Sequence, residues 1–136
     1  MSEALPFDPL PQPGDILYTR FPEVENIGKP GPKSRPALVL AVSTKHRAVE
    51  VAYGTSQRTN KLYPGEFVLD PGDGGFPSSG LTERTKFDLG RTVQIPFDSA
   101  WFEVAPGVHI KSPLPKMGEL HPSYVRAAGI AYQQVQ

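Results

Sequence analysis

Apolar and polar residues alternate with a period of two in several short runs of this chain, and recur near a period of 3.6 only once, close to the C-terminus. Gly14 to Phe21, GDILYTRF, sets Ile16, Tyr18 and Arg20 against Leu17, Thr19 and Phe21 and predicts a first strand. Pro22 to Arg35 is a polar loop with Gly28, Pro30, Gly31 and Pro32. Pro36 suits the start of a strand, where no ladder donor is needed, and Ala37 to Val42 is almost continuously apolar. Lys45-His46-Arg47 reads as a turn, and Ala48 to Tyr53 alternates again and is expected to pair back as a hairpin. Gly54 ends that strand and Thr55-Ser56-Gln57 opens a loop. Glu66 to Leu69 is a short strand, Asp70 to Gly80 a flexible glycine-rich flap, and Thr85 to Pro96 a long strand with a bulge or bend at Gly90. Trp101 to Val104 and Val108 to Ile110, joined by Pro106-Gly107, suggest a further hairpin. Pro122 fits a first helical position, and Tyr124, Val125, Ala128 and Tyr132 share one helix face.

These elements predict a mainly β domain, a strongly bent sheet or partly closed barrel capped by one C-terminal helix. With 136 residues, one core is expected, spanning 14–136. Residues 1–13 are proline-rich and aperiodic and predict a flexible or extended arm. That N-terminal stretch has neither the basic start nor the apolar core of a signal peptide, and no apolar run approaches the ~20 residues of a membrane span. Together with the lack of cysteine, this gives a cytoplasmic protein as the expectation.

Charge changes the picture locally. The whole chain has 14 basic and 14 acidic residues, which argues against a generic nucleic-acid binder. Between Lys29 and Lys61, however, Lys29, Lys33, Arg35, Lys45, Arg47, Arg58 and Lys61 face a single acid, Glu50. This stretch is either a set of solvated loop charges or a basic face for a polyanion. The familiar catalytic and metal signatures are absent from the sequence. His46, His109 and His121 are isolated, and Asp70 and Asp73 lack the remaining positions of a calcium loop. No cofactor or metal is therefore expected.

What remains is polar chemistry at strand ends. A hairpin about Lys45-His46-Arg47 makes Arg35 and the pair Thr55/Ser56 neighbours on one rim. A guanidinium beside hydroxyls suits a phosphate, because it offers a planar fork of donors. From the residues alone a purely structural account comes first: Arg35 pairs with Glu50 or a C-terminal carbonyl, and Thr55/Ser56 close a turn.

The stretches GDILYTRF, SRPALVL, VAYGTSQ and GLTERTKFDLGRTVQI, in this order and spacing, resemble the MazF/PemK (Kid) family of toxins from toxin–antitoxin systems. LHPSYVRAAGIAY resembles that family's terminal helix. The resemblance covers Gly14 to Ile95 and the helix, and leaves out the N-terminal arm and the region from Trp101 to Lys116. It implies a small SH3-like barrel, a homodimer, and a metal-independent endoribonuclease. Such an enzyme cuts single-stranded RNA to 2′,3′-cyclic phosphate and 5′-hydroxyl ends and is held in check by a cognate antitoxin. The family's catalytic positions fall on Arg35, Thr55, Lys86 and Asp88, with Ser56 adjacent to Thr55; RNA binding is expected of Ser56 and of Lys33, Arg58 and Lys61 in the basic stretch. The chain departs from the family in having lysine at 86, where arginine is commoner, and no histidine in the loop from Phe21 to Arg35, which carries Glu23 and Glu25 instead. Two alternatives accompany this reading. One is a protein-directed growth inhibitor on the same fold, as the related gyrase poisons imply. The other is a nucleic-acid-binding domain without catalysis, to which exposed aromatics near Trp101 would contribute.

Overall fold

A computed structural model describes residues 3–104 and 114–136. Six strands form one antiparallel sheet: β1 (Asp15–Thr19), β2 (Arg35–Ser43), β3 (Ala48–Thr55), β4 (Glu66–Leu69), β5 (Thr85–Pro96) and β6 (Lys116–Glu119), in the order β4-β5-β3-β2-β1-β6. The sheet curls into a half-barrel. A 3-10 turn (Pro122–Tyr124) leads into α1 (Val125–Gln133), the one α-helix among the described residues. The expected mainly β fold with one terminal helix is thus the fold observed.

The long apolar run of β2 has a direct explanation: the sheet is buried on both faces. Ile16, Leu38, Ala52, Phe67, Phe87 and Leu89 face a core closed by Tyr124 and Ala131 of the helical end. Leu17, Ala37, Val39, Val51 and Ile95 face a second core, closed by Phe97 and Phe102. The proline-rich residues 3–13 lie over this second core. Phe7 packs its ring 5.6 Å from that of Phe97 and donates its N–H to the Phe97 carbonyl, while Ser99 donates to the Leu5 carbonyl. Covering both faces of so small a sheet lets the chain bury a large share of its apolar residues, at ~25 cal/mol per Å² removed from water.

Three local expectations are corrected. Among the described residues, Trp101 to Val104 pair with the end of β1 and form no regular strand. Phe102 bridges to Thr19, the Arg20 N–H reaches the Trp101 carbonyl and the Glu103 N–H the Tyr18 carbonyl, so this segment extends the edge of β1. Its aromatics are accordingly not exposed: Phe102 is fully buried and Trp101 packs on the second core. The other half of the expected hairpin, Val108 to Ile110, lies outside the described residues.

The flap at Asp70 to Gly80 is also no free loop. It carries a 3-10 turn (Phe76–Ser79) with Phe76 and Ser79 buried. Asp70 is paired with Arg84, and Asp73 accepts the Tyr124 hydroxyl proton at 2.9 Å. The Asp70 carboxyl is held below its ordinary value, first by the Gly72 N–H and then by Arg84. Burial, reinforced by Asp73, pushes the Tyr124 hydroxyl up to about 12.

Finally, β6 is a strand that periodicity does not announce. Lys116-Met117-Gly118-Glu119 has almost no apolar alternation. Gly118 is there because the backbone of Ser79 lies where a Cβ would project, so the loop turn packs directly on β6.

Candidate functional site

Two strand ends build the site. β2 begins at Arg35 and β3 ends at Thr55, and the antiparallel register of Ala37 with Tyr53 brings both ends to one rim. There a cleft of about 580 Å³ opens, lined by Arg35, Thr55 and Ser56 together with Leu81, Thr82 and Glu83. Pro36 restricts Arg35 to extended backbone, and pairing of Arg35 with Thr19 fixes it from the β1 side. Behind the cleft sits Gly54. A Cβ there would meet the Pro36 carbonyl oxygen and stand 2.7 Å from Cε1 of Phe87, so only glycine lets β2 and β5 close on β3 at this level.

Arg35 is half-buried and has no carboxylate within 4.0 Å among the described residues. The pairing with Glu50 that a structural role would use is not made: Glu50 stands opposite Ala41 and Gln94, farther up the sheet. The guanidinium instead lies 5.9 Å from the centre of the Tyr53 ring. The turn expected of Thr55 does form. Its Oγ1 accepts the Gln57 N–H at 3.0 Å, which leaves the hydroxyl proton available to a ligand in the cleft. An unpaired guanidinium, a directed hydroxyl and Ser56, which is exposed, therefore converge on one space, an arrangement suited to an anion.

The other expected catalytic residues lie elsewhere. Lys86 stands opposite Thr55 in the ladder, yet its ammonium does not line the cleft. Its side chain is 6% exposed, and Nζ donates to Glu66 Oε1 at 2.9 Å and to the Lys61 carbonyl at 3.0 Å. A buried ammonium needs such partners, and here they are all structural. Asp88 also lies outside the cleft. Its Oδ1 accepts the Gly90 N–H at 2.8 Å and shapes the bulge expected at Gly90, where the β3–β5 register jumps from Ala52 opposite Thr92 to Tyr53 opposite Asp88.

The carboxylate that does line the cleft is Glu83, exposed and without a cationic partner within 4.0 Å among the described residues. The sequence signal for it is indirect: once β5 is known to pair with β3, the residues just before Thr85 must project past Thr55, onto the same rim.

The basic stretch is divided between two ends of the sheet. Lys45 and Arg47 sit at the far turn, where Arg47 pairs with Asp8 at 3.2 Å. Lys33 and Arg35 lie at the cleft end, and the loop after β3 carries Arg58 and Lys61, both exposed, with the Lys61 ammonium 5.2 Å from the Tyr63 ring.

No family model matches the sequence, and no curated protein matches it. Among solved structures, two from mycobacterial species superpose on nearly the whole chain. One is an endoribonuclease, with a TM-score of 0.56 and 12% identity, covering 93% of this chain and 91% of that one. The other is an endoribonuclease in complex with its cognate antitoxin, with a TM-score of 0.54 and 13% identity, covering 92% of this chain and 93% of that one. The chain shares their fold. At this identity the likeness concerns architecture, and the chemistry has to be argued from the cleft. Among the described residues, no helix is long and apolar enough to cross a membrane.

Proposed function

We propose that this protein is a toxin of the MazF/PemK type, a metal-independent endoribonuclease acting on single-stranded RNA. The observation that carries the reading is the convergence of Arg35, unpaired among the described residues, with Thr55 and Ser56 at one cleft that Glu83 also lines. The shared fold and the four sequence motifs support it.

In this reading the ribose 2′-oxygen attacks the adjacent phosphorus, the P–O2′ bond forms and the P–O5′ bond breaks. Glu83 accepts the 2′-hydroxyl proton, and the departing 5′-oxygen takes a proton from solvent, leaving a cyclic phosphate and a 5′-hydroxyl. Arg35 donates to the non-bridging oxygens as they gain charge, and Thr55 fixes the phosphate. Lys33, Arg58 and Lys61 hold the strand electrostatically. Lys86 and Asp88 act by building the strand that frames the cleft.

The test is cleavage of mixed-sequence single-stranded RNA in EDTA. Arg35→Ala is expected to lose about a hundredfold or more in rate, the typical effect of one preorganised donor (~3 kcal/mol). Glu83→Gln is expected to lose the base-dependent limb of the pH–rate profile. A folded wild type that cuts no RNA yet arrests growth overturns the nuclease and points to a protein-directed inhibitor.

The partners proposed are a cognate antitoxin with an acidic segment complementary to the cation-rich rim, and a second copy of the chain in a cytoplasmic homodimer. For the dimer, the exposed apolar residues of the helical end, Val125, Ile130 and Tyr132, are the candidate surface, because Ile95, Phe97 and Phe102 are spent on the second core. Sedimentation as a monomer at micromolar concentration would count against it.

A further inference from the structure

Arg35 lines two clefts. The second, of about 350 Å³, shares only Arg35 with the first and is lined also by Lys33, Tyr53, Phe21 and Arg91. Arg91 arrives there through the bulge. The extra residues between Asp88 and Thr92 lift it out of the ladder and lay its guanidinium 4.0 Å from the centre of the Tyr53 ring, with Phe21 at 5.4 Å. Phe21 and Tyr53 meet edge to face at 5.2 Å, so the two rings form one angled support. The only hydrogen bond the Arg91 guanidinium makes among the described residues is a long one, 3.4 Å, to the Pro22 carbonyl. Glu23 and Glu25 line the same cleft, yet neither comes within 4.0 Å of Arg91, Arg35 or Lys33.

A guanidinium kept only for packing would take the carboxylates that stand beside it. This one is carried on an aromatic face, which holds its plane and leaves its N–H edge open. With Arg35 beside the same ring, two forks of donors flank a single tyrosine. Such a pair suits two successive phosphates of one extended strand.

We infer that the cleft beyond Arg35 is a second phosphate subsite, in which Arg91, supported by Tyr53 and Phe21, binds the phosphodiester next to the one that is cut. The inference rests on the ribonuclease reading for the identity of the ligand, and adds a residue that fixes the strand's register and direction. Arg91 is a binding residue, not a catalytic one: its contribution is to KM.

The experiment uses DNA oligonucleotides with a single ribonucleotide, so that only one linkage can be cut, and with an uncharged methylphosphonate placed at each neighbouring linkage in turn. In the wild type, one flanking methylphosphonate is expected to raise KM by about tenfold, the low end for a charge-assisted hydrogen bond. In Arg91→Gln the KM is already raised, and the same methylphosphonate adds nothing, while kcat changes by less than about threefold. A wild type indifferent to every flanking methylphosphonate, or an Arg91→Gln variant that keeps the full sensitivity, overturns the inference.

Binding of an all-DNA strand, which cannot be cut, separates this from the ribonuclease reading. If neither protein cleaves but Arg91→Gln binds more weakly, with a salt dependence shallower by about one charge, the subsite stands and the nuclease falls. Unchanged affinity and slope remove the subsite whether or not cleavage occurs. Arg91→Lys guards against a folding artefact: it restores the charge and so the salt slope, and a lysine variant indistinguishable from Arg91→Gln also overturns the assignment.

Discussion

Replacing Lys86 distinguishes a structural lysine from a catalytic one. In Lys86→Met the Glu66 carboxylate, 10% exposed, loses the ammonium that sits 2.9 Å away. At an effective dielectric of about 20 that attraction is on the order of 6 kcal/mol, most of it offset by the desolvation of both charges. What the single substitution reveals is the cost of leaving one buried charge unpaired, about 3–5 kcal/mol. The Lys61 carbonyl loses its donor as well, at about 1 kcal/mol or more. With a urea m-value of about 2 kcal/mol/M, the unfolding midpoint is expected to fall by roughly 2 M. The double variant Lys86→Met/Glu66→Leu removes both charges together and is expected to recover most of that loss, since apolar replacement of a buried pair is often neutral or stabilising. RNA cleavage by the double variant decides the matter. Activity within about threefold of wild type shows that the ammonium serves the fold. A double variant as stable as wild type but slower by about a hundredfold refutes the structural assignment and returns Lys86 to the catalytic set.

Three further outcomes are expected. Gly54→Ala drives a Cβ against the Phe87 ring and the Pro36 carbonyl and should cost about 1–3 kcal/mol by thermal melting, whereas Gly28→Ala, with open space around it, should change stability little; equal effects would refute the close-approach argument. Tyr124 should ionise near the value of about 12, assigned as the absorbance step that Tyr124→Phe removes from an ultraviolet titration. Because its folded pKa is raised above the ordinary 10.0, its contribution to stability is complete below pH 10 and is lost as pH rises toward 12; ionisation of Tyr124 at 10 in the folded protein refutes this. For Asp70, the folded pKa is depressed, so its contribution is present above the ordinary 3.8 and disappears as pH falls through the lower folded value. The Gly72 amide resonance should report that midpoint, and a midpoint at or above 3.8 contradicts the hydrogen bond.

The parts of the fold that alternation or turn chemistry governs were legible from sequence. Glu66–Leu69 and Thr85–Pro96 have the expected bounds, and the bulge at Gly90 is where glycine and Asp88 together allow it. Arg35 and Thr55 were placed on one rim because a single hairpin relates them, so the register is local. Glu83 and Arg91 escaped because their positions depend on β5 lying beside β3, a pairing between segments thirty residues apart that no short motif encodes. The partners of Lys86 and Asp88 were not legible for a related reason. A charged residue in a strand reads the same in sequence whether it meets a ligand or a buried partner, and only the placement of Glu66 and of the Gly90 amide tells them apart. β6 was missed because Gly118 answers to the backbone of Ser79 rather than to any pattern in its own strand.

The two outer strands, β4 and β6, are each only four residues long. Net charge gives this chain no long-range repulsion between copies, since its formal charge is +0. Colloidal stability must then come from the shape of the sheet's margins. A ladder of only four residues on each margin, with Lys116 and Glu119 on the β6 side, is a poor template for a foreign strand. The same margins limit how a peptide inhibitor can engage: with so little free backbone to pair with, its affinity has to be won in the clefts, through side chains.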